Sequence, residues 1–295
     1  MGRIDKDADG LYVHDLEGRT PIPIDQLGFL MLGPGTSITH AAVNALAKNN
    51  CLIAWVGQQG VRLYAHSTGG TYSSKRIIQQ ARLASIEDLR ISVAKRMYQF
   101  RFDNPLPISI TLEQIRGMEG RRVRDAYQHA SKEYNVEWKG RNYDQGNWYK
   151  ADPINRALSA ANACLYGLCH AAIISAGFSP AIGFIHSGKM LSFVYDIADL
   201  FKTDLVFPIA FQVTSEAPQQ IEREVRLACR DEFYKSKLMK KIIPSIGEVL
   251  GVSDILGESP DELEGKIVTL ADRTEDRGFS GESNDESPGE IVGND

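Results

Sequence analysis

The sequence predicts an α+β protein in three parts: a small N-terminal β domain over residues 1–70, a larger all-helical domain over 71–243, and an acidic, largely disordered tail over 244–295. Up to residue 70, short apolar runs alternate with turn-forming residues, which is the pattern of strands. After Gly69-Gly70-Thr71 the apolar residues recur at three- and four-residue steps, which is helical periodicity. Beyond Pro244, acidic residues, Gly and Ser replace the apolar pattern, and too little apolar surface remains to offset chain entropy.

In the β part, LYVHD and TPIPI flank the turn-like Leu16-Glu17-Gly18-Arg19, and FLML ends at Gly33-Pro34-Gly35. CLIAWVG and VRLYAH, separated by Gln58-Gln59-Gly60, read as a hairpin. Between these strands SITHAAVNALAKNN has a polar start, helical spacing and an Asn-Asn stop, so one short helix is expected there. Gly33-Pro34-Gly35-Thr36 reads as a turn and helix cap. Helical patterns then cover roughly 111–134, 153–176, 196–213 and 219–243.

The chain has 295 residues, enough for two ordinary domains, with 43% hydrophobic and 24% charged residues. No uninterrupted run of about 18 apolar residues occurs, and the most apolar stretch, Ala157 to Phe178, is broken by Asn162, His170 and Ser175. It reads as a core helix. The N-terminus lacks a basic-then-apolar leader pattern, and Cys51, Cys164, Cys169 and Cys229 lack the spacing of a zinc site or disulfide framework. These features fit a cytoplasmic protein whose cysteines fill space. The net charge of −5 is unevenly spread: residues 244–295 carry 14 acids against Lys266, Arg273 and Arg277, a balance of −11, which leaves +6 on residues 1–243. A basic body is compatible with nucleic-acid binding.

Four segments have chemistry-bearing residues. Glu119 lies in Arg116-Gly117-Met118-Glu119-Gly120-Arg121-Arg122, where two glycines in a helical pattern, each costing about 1 kcal/mol against Ala, suggest close backbone approach. Alone, such a segment is more often a solvated face of ordinary ion pairs. His186 lies in the small-residue turn GFIHSGK, followed by Asp196 and Asp199, which three-residue spacing places on one face near a helix start. An Asp at a helix start is often only a cap. Together, Glu119, His186 and one or both aspartates offer the oxygen and nitrogen donors that suit Mg2+ or Mn2+.

The loop Trp138 to Lys150 interleaves four aromatics with three cations, a composition suited equally to stacking unpaired bases and to pinning a loop on a core. Arg223, Arg226, Arg230 and Lys237 are expected opposite Leu227, Tyr234, Leu238 and Ile242 on one helix, either as a phosphate-tracking stripe or as a solvated face. His14-Asp15 resembles the metal pair of HD-type phosphohydrolases but lacks the companion histidines. No G-x-x-x-x-G-K-[ST] loop occurs, so nucleotide hydrolysis has no support.

Taken in order, GPGTSITHAAV, WVGQQGVRLYA, EQIRGMEGRRVRDAY, YGLCHAAIISAGFSPAIGFIHSGK, LSFVYDIADLFK and REVRLACRDEF resemble the CRISPR-associated adaptation integrase, the first protein of the Cas series, most closely its type I-E subgroup. The resemblance spans about residues 10 to 243. It implies a β domain that pairs two subunits, a helical catalytic domain, and a divalent metal, Mg2+ or Mn2+, held by Glu119, His186 and Asp199, with Asp196 as an accompanying acidic catalytic position. It further implies a small second Cas protein as partner in a hetero-hexamer. The substrates implied are double-stranded DNA with 3′ overhangs and CRISPR repeat DNA. Positions matching the DNA-holding surface are Arg62, Arg116, Arg141, Tyr143, Trp148, Tyr166, Lys189, Arg223 and Arg226. Family members carry about one more strand before the point where this chain starts, which implies either a start assigned late or a missing edge strand, and the acidic tail has no firm match.

The implied reaction is attack of a captured fragment's 3′-hydroxyl on a phosphodiester at the repeat edge. Two alternatives stand beside it: a nuclease or resolvase on branched DNA, with water as nucleophile, and a catalytically silent DNA-binding scaffold. Only the first two need Glu119, His186 and Asp199. The charge distribution gives a direct test. Removing residues 265 to 295 should leave the fold intact and tighten non-specific DNA binding at low salt, measured by filter binding or anisotropy. A truncated protein that is insoluble, or that melts at a much lower temperature, would make this segment structural instead.

Overall fold

The computed structural model describes residues 2–7, 10–57, 62–67, 74–142, 152–216, 219–251 and 267–269. The N-terminal part forms two sheets. Strands β1 (Gly2–Asp7), β2 (Gly10–Asp15) and β3 (Gly18–Ile22) make an antiparallel meander, and β5 (Thr36–Ile38) lies parallel to β1, giving the order β3-β2-β1-β5. Strands β4 (Phe29–Leu32) and β6 (Leu52–Val56) pair in parallel, and β7 (Leu63–His66) closes antiparallel on β6 as the expected hairpin. The parallel β4–β6 pair needs a crossover, which β5 and helix α1 (His40–Lys48) supply.

Thr39, not Thr36, caps α1: its hydroxyl accepts from the Ala42 amide at 3.3 Å, while Thr36 belongs to β5. Ile4, Leu11, Val13, Leu30, Leu32, Leu46 and Ile53 form the buried core between the sheets and α1.

The expected helical domain follows as α2 (Lys75–Ser85), α3 (Glu87–Gln99), α4 (Leu112–Glu133), α5 (Pro153–Ser175), α6 (Ser192–Ala198), α7 (Phe207–Glu216), α8 (Ile221–Lys235) and α9 (Leu238–Leu250). Helix α5 is the axis of this domain. Asp152 caps it, accepting from the Asn155 amide at 2.8 Å, and Pro153 occupies the first turn, where its missing N–H costs nothing. Its buried Ala157, Ala160, Ala161, Cys164 and Ala172 are small, so the flanking helices, α7, α8 and α9 among them, pack close to its axis. Among the described residues it is the one helix long and apolar enough to cross a membrane, and 56% of its most apolar window is buried within the fold. All four cysteines are buried and unpaired, as space-filling residues should be.

Several expectations change. The helix anticipated over 196–213 is two helices joined by a π-helical segment, Lys202–Val206. Helix α8 buries Ile221, Val225, Cys229 and Phe233, one register away from the anticipated Leu227 and Tyr234, and Tyr234 is 78% exposed. Lys237 takes a left-handed conformation between α8 and α9, so the anticipated stripe is not one helix. Helix α9 continues through Pro244 to Leu250, where Gly251 ends it at φ 68°, and its amphipathic face is buried, so the helical part outruns the expected boundary at 243. Within the acidic tail, β8 (Ile267–Thr269) adds a parallel strand to β4, which completes the order β7-β6-β4-β8. Removal of 265–295 therefore also removes this strand. The rest of the tail beyond Gly251 lies outside the described residues.

A capping box starts α4. Thr111 accepts from the Gln114 amide at 3.2 Å, and the Gln114 side chain accepts from the Thr111 amide at 2.9 Å. Among the described residues, the two glycines inside this helix mark no close backbone approach. A Cβ on Gly117 would meet open space, and one on Gly120 would touch only the far end of Arg124 at 3.7 Å. Gly117→Ala should therefore stabilise the protein by up to about 1 kcal/mol, through helix propensity alone. The measurement is the denaturant midpoint of the free protein; a lower midpoint would restore a structural need for glycine.

Candidate active site

The site forms where α4, the loop between α5 and α6, and the end of α6 meet. The loop is fixed from behind by α2 and α3. Gln80 is fully buried; its amide donates to the carbonyls of Ser179 (3.0 Å) and Ile182 (2.8 Å), and its oxygen accepts from the Ser179 amide (2.8 Å). Arg76 donates to the Ala176 carbonyl at 2.8 Å and Arg90 to that of Phe184 at 3.4 Å. Gly183 is required inside the turn, since a Cβ there would lie 2.3 Å from the His186 carbonyl and 3.0 Å from Asp196 Oδ2.

Asp196 gathers the loop. Its carboxylate is wholly buried; Oδ2 accepts from the amides of Phe184 (2.6 Å) and Ile185 (3.1 Å), while Oδ1 accepts from the His186 amide at 2.9 Å and lies 2.7 Å from His186 Nδ1. Three amide donors take the place of water around a buried charge. With Nδ1 donating to this carboxylate, His186 presents Nε2 outward, and the ring is 41% exposed. These bonds tie the Asp196 carboxylate to the loop and set the orientation of the His186 ring.

The second aspartate faces the other side of the same imidazole. Asp199 Oδ2 lies 4.0 Å from His186 Nε2, and Oδ1 accepts a charged hydrogen bond from Lys202. The two aspartates share a face as their spacing requires, but at the end of α6 rather than its start: Asp199 is the C-cap. A helix C-terminus disfavours a carboxylate, so the compensation comes from the amide nest at Asp196 and from Lys202 at Asp199. Burial pushes the Lys202 ammonium down, but Asp199 and Tyr166 outweigh it and hold its pKa above the usual lysine value.

Glu119 approaches from α4. Arg122, one turn on, donates to it from Nε (2.8 Å) and Nη2 (3.0 Å), and Arg101, from the turn after α3, donates at 3.2 Å. Arg101 Nη1 is also 4.0 Å from Asp199 Oδ2, which links the two carboxylates through one guanidinium. Burial pushes the Glu119 carboxyl up, yet the bonds and charge of Arg122 and Arg101 win and keep it below the ordinary glutamate range.

Among the described residues, no three carboxylate, thiolate or imidazole groups converge closely enough to enclose a metal ion as they stand. The donor chemistry nevertheless fits one: two carboxylates, and an imidazole whose outer nitrogen is freed by a buried carboxylate behind it.

Of the other sequence-predicted residues, Tyr166 and Lys189 fall beside this centre. The Tyr166 ring packs edge-on to Tyr195 at 5.0 Å, Tyr195 lies 5.8 Å from His186, and Lys189 Nζ is 5.9 Å from the Tyr195 ring. Arg116 is exposed on α4, one turn before Glu119. Arg141 is committed within the fold, donating to the Asn155 carbonyl (3.3 Å), its Oδ1 (3.2 Å) and Ser159 (3.3 Å). Arg223 is exposed on α8 and pairs with Glu224 at 2.8 Å; Arg226 is half-buried on the same helix. Arg62 lies in the β domain, where its carbonyl accepts from Gly57 at 2.7 Å. Tyr143 and Trp148 lie outside the described residues.

Sequence reasoning missed Arg101, Lys202 and the pairing role of Arg122. The three-residue spacings Glu119–Arg122 and Asp199–Lys202 are readable as helical ion pairs; Arg101 has no such signal.

Comparison with known proteins places the whole chain. The family model described as CRISPR associated protein Cas1 matches residues 1–108 and 102–226. A curated relative from Thermus thermophilus, "CRISPR-associated endonuclease Cas1 2", is 52% identical over 239 residues, covering 81% of this chain and 74% of the relative. The "CRISPR-associated endonuclease Cas1" of Escherichia coli is 48% identical over 263 residues, covering 88% and 86%. Among solved structures, a TtCas1-DNA complex superposes with a TM-score of 0.79 at 49% identity, covering 84% of this chain and 93% of the other. A casposase bound to integration product, at 14% identity and TM-score 0.59, covers 86% and 94% and shares the fold alone. By model match, identity and coverage, this chain belongs to the Cas1 family.

Proposed function

We propose that this Cas1-family enzyme is the strand-transfer enzyme of CRISPR adaptation, joining the 3′-hydroxyl ends of captured foreign DNA to the CRISPR repeat by transesterification. The observation that carries the reading is the arrangement around His186: Nδ1 anchored on the buried Asp196, Nε2 facing Asp199, and Asp199 joined to Glu119 through Arg101. Glu119, His186 and Asp199 are the residues that would hold Mg2+ or Mn2+. Such an ion supplies Lewis-acid stabilisation of charge developing on a phosphate and a template for attacking and leaving oxygens.

The chain's own residues do the rest. Asp196 keeps the imidazole in one tautomer and orientation. Lys189, whose backbone is locked to Ser192 by bonds of 3.1 and 2.8 Å, carries positive charge at the mouth of the site. Arg116, Arg223 and Arg226 on α4 and α8 offer cations for the DNA backbone, and Tyr166 an aromatic face near the reacting end. Arg62 would extend this surface onto the β domain. Arg141 would support the aromatic loop, given its bonds to Asn155 and Ser159.

The substrates in this reading are duplex DNA with 3′ overhangs and CRISPR repeat DNA, in the cytoplasm. Two copies of the chain pair through the β domain and associate with the small second Cas protein in a hetero-hexamer. The relatives' names favour a second reading, hydrolytic cleavage with water as nucleophile.

Two experiments decide. Given its small partner, a short duplex with 3′-hydroxyl overhangs and a supercoiled plasmid bearing a repeat array, the protein should join duplex to plasmid, and 3′-deoxy ends should abolish joining. Equal plasmid cutting with hydroxyl and deoxy donors, without joined product, assigns the chain to hydrolysis. Glu119→Ala and Asp199→Ala should lose strand transfer by at least about 100-fold, the scale expected when a transition-state charge stabiliser is removed, while keeping the circular dichroism spectrum and DNA affinity. Near-normal turnover by either variant in Mn2+ sinks the ligand assignment.

A further inference from the structure

Arg101 is the most buried charged group of the site outside Asp196. Its side chain is 4% exposed, and Nη1 lies 3.2 Å from Glu119 Oε1 and 4.0 Å from Asp199 Oδ2. Among the described residues its Nε and Nη2 have no hydrogen-bond partner and are shielded from solvent. Leaving two guanidinium donors unmatched in a buried place is costly. The Tyr98 ring, 5.2 Å away, offsets only part of that cost. The attraction that holds Arg101 there is the pair of carboxylates. Arg122 is hydrogen-bonded to Glu119 and Lys202 to Asp199, whereas Arg101 lies within 4.0 Å of both.

We propose that Arg101 is the internal counter-ion of the Glu119–Asp199 pair, holding the two carboxylates together in the metal-free protein and opposing the divalent ion that the same carboxylates take up. The inference rests on the metal reading above. Glu119 is on α4 and Asp199 caps α6, so no local backbone constraint keeps two like charges close; a cation between them does. That charge then repels any divalent cation bound by the same oxygens, so the fold stays intact without metal at the expense of metal affinity. Arg101 acts through the carboxylates and is a positioning residue.

The test titrates full-length wild type, Arg101→Met and Arg101→Lys with Mn2+ alone, by calorimetry and by electron paramagnetic resonance of the free ion. Thermal unfolding is read in chelator and in saturating Mn2+. Arg101→Met should bind Mn2+ about tenfold more tightly, since one close charge repulsion is removed. It should melt below wild type in chelator and recover most of the difference in Mn2+. Arg101→Lys, which keeps the charge, should bind within about twofold of wild type. Unchanged or weaker Mn2+ binding by a folded Arg101→Met overturns the proposal. If Arg101→Met does not fold, Arg101→Gln is read in the same way; failure of both to fold even with Mn2+ present also overturns it, because the ion should replace the lost charge. A wild type whose Mn2+ binding is absent, or indifferent to Glu119→Ala and Asp199→Ala, refutes the metal site itself instead.

Discussion

The carboxylate of Asp196 is wholly buried, and it satisfies itself on three consecutive backbone amides, Phe184 to His186, and on the His186 ring. That set of bonds converts a glycine-containing loop into a rigid mount. It fixes where the loop crosses α6, which imidazole nitrogen faces outward, and how far that nitrogen stands from Asp199. The absence of room for any side chain at Gly183 and the grip of Gln80 on Ser179 and Ile182 follow from the same closeness of loop and helix. Remove the carboxylate, and three buried amides lose their acceptor together.

Around this mount the site balances its charges in pairs. Glu119 is held by Arg122 and Arg101, Asp199 by Lys202 and Arg101, and Asp196 by amides and an imidazole. For Glu119 this pairing outweighs burial and keeps its carboxyl below the ordinary glutamate range. It also separates two kinds of cation. Those wedged among the acids, Arg101 above all, balance the site, whereas Arg116 and Arg223 lie exposed on α4 and α8, Arg223 beside Glu224.

The β-then-helix order was legible from length and punctuation: FLML and CLIAWVG are short apolar runs bounded by turn-forming residues, whereas the 153–176 pattern is long and keeps helical spacing. Boundaries were less legible. The run from Ser192 to Glu216 has apolar residues throughout, so nothing in it marks the π-helical break that leaves Asp199 at a helix end. Strand β8 was hidden because its pairing partner, Phe29 to Met31, lies near the other end of the chain, and pairing across such a distance leaves no local pattern. The glycines of α4 were legible but misleading, since among the described residues Gly117 faces open space and Gly120 only the tip of Arg124. Glu119, His186 and Asp199 were picked out by family likeness, spacing alone being merely suggestive. Arg101 was invisible because it reaches both carboxylates from a turn, where no helical or strand period ties it to either.

The boundary near residue 70 also looks different in three dimensions. Phe29, Leu52, Ala54 and Val56 from the second sheet bury themselves with Ala171 of α5, and Ile174 and Met239 pack against the same cluster; the rings of His66 and His170 meet edge-on at 5.8 Å across the same seam. The β part and the helical part are therefore not beads on a string. They share a strip of core, so the orientation of one relative to the other is set by side-chain packing rather than by the connecting segment. The seam meets α5 at its last turns, through His170, Ala171 and Ile174, and those same turns lead into the loop that carries His186, so the packing of the β sheets bears on the mount of that loop.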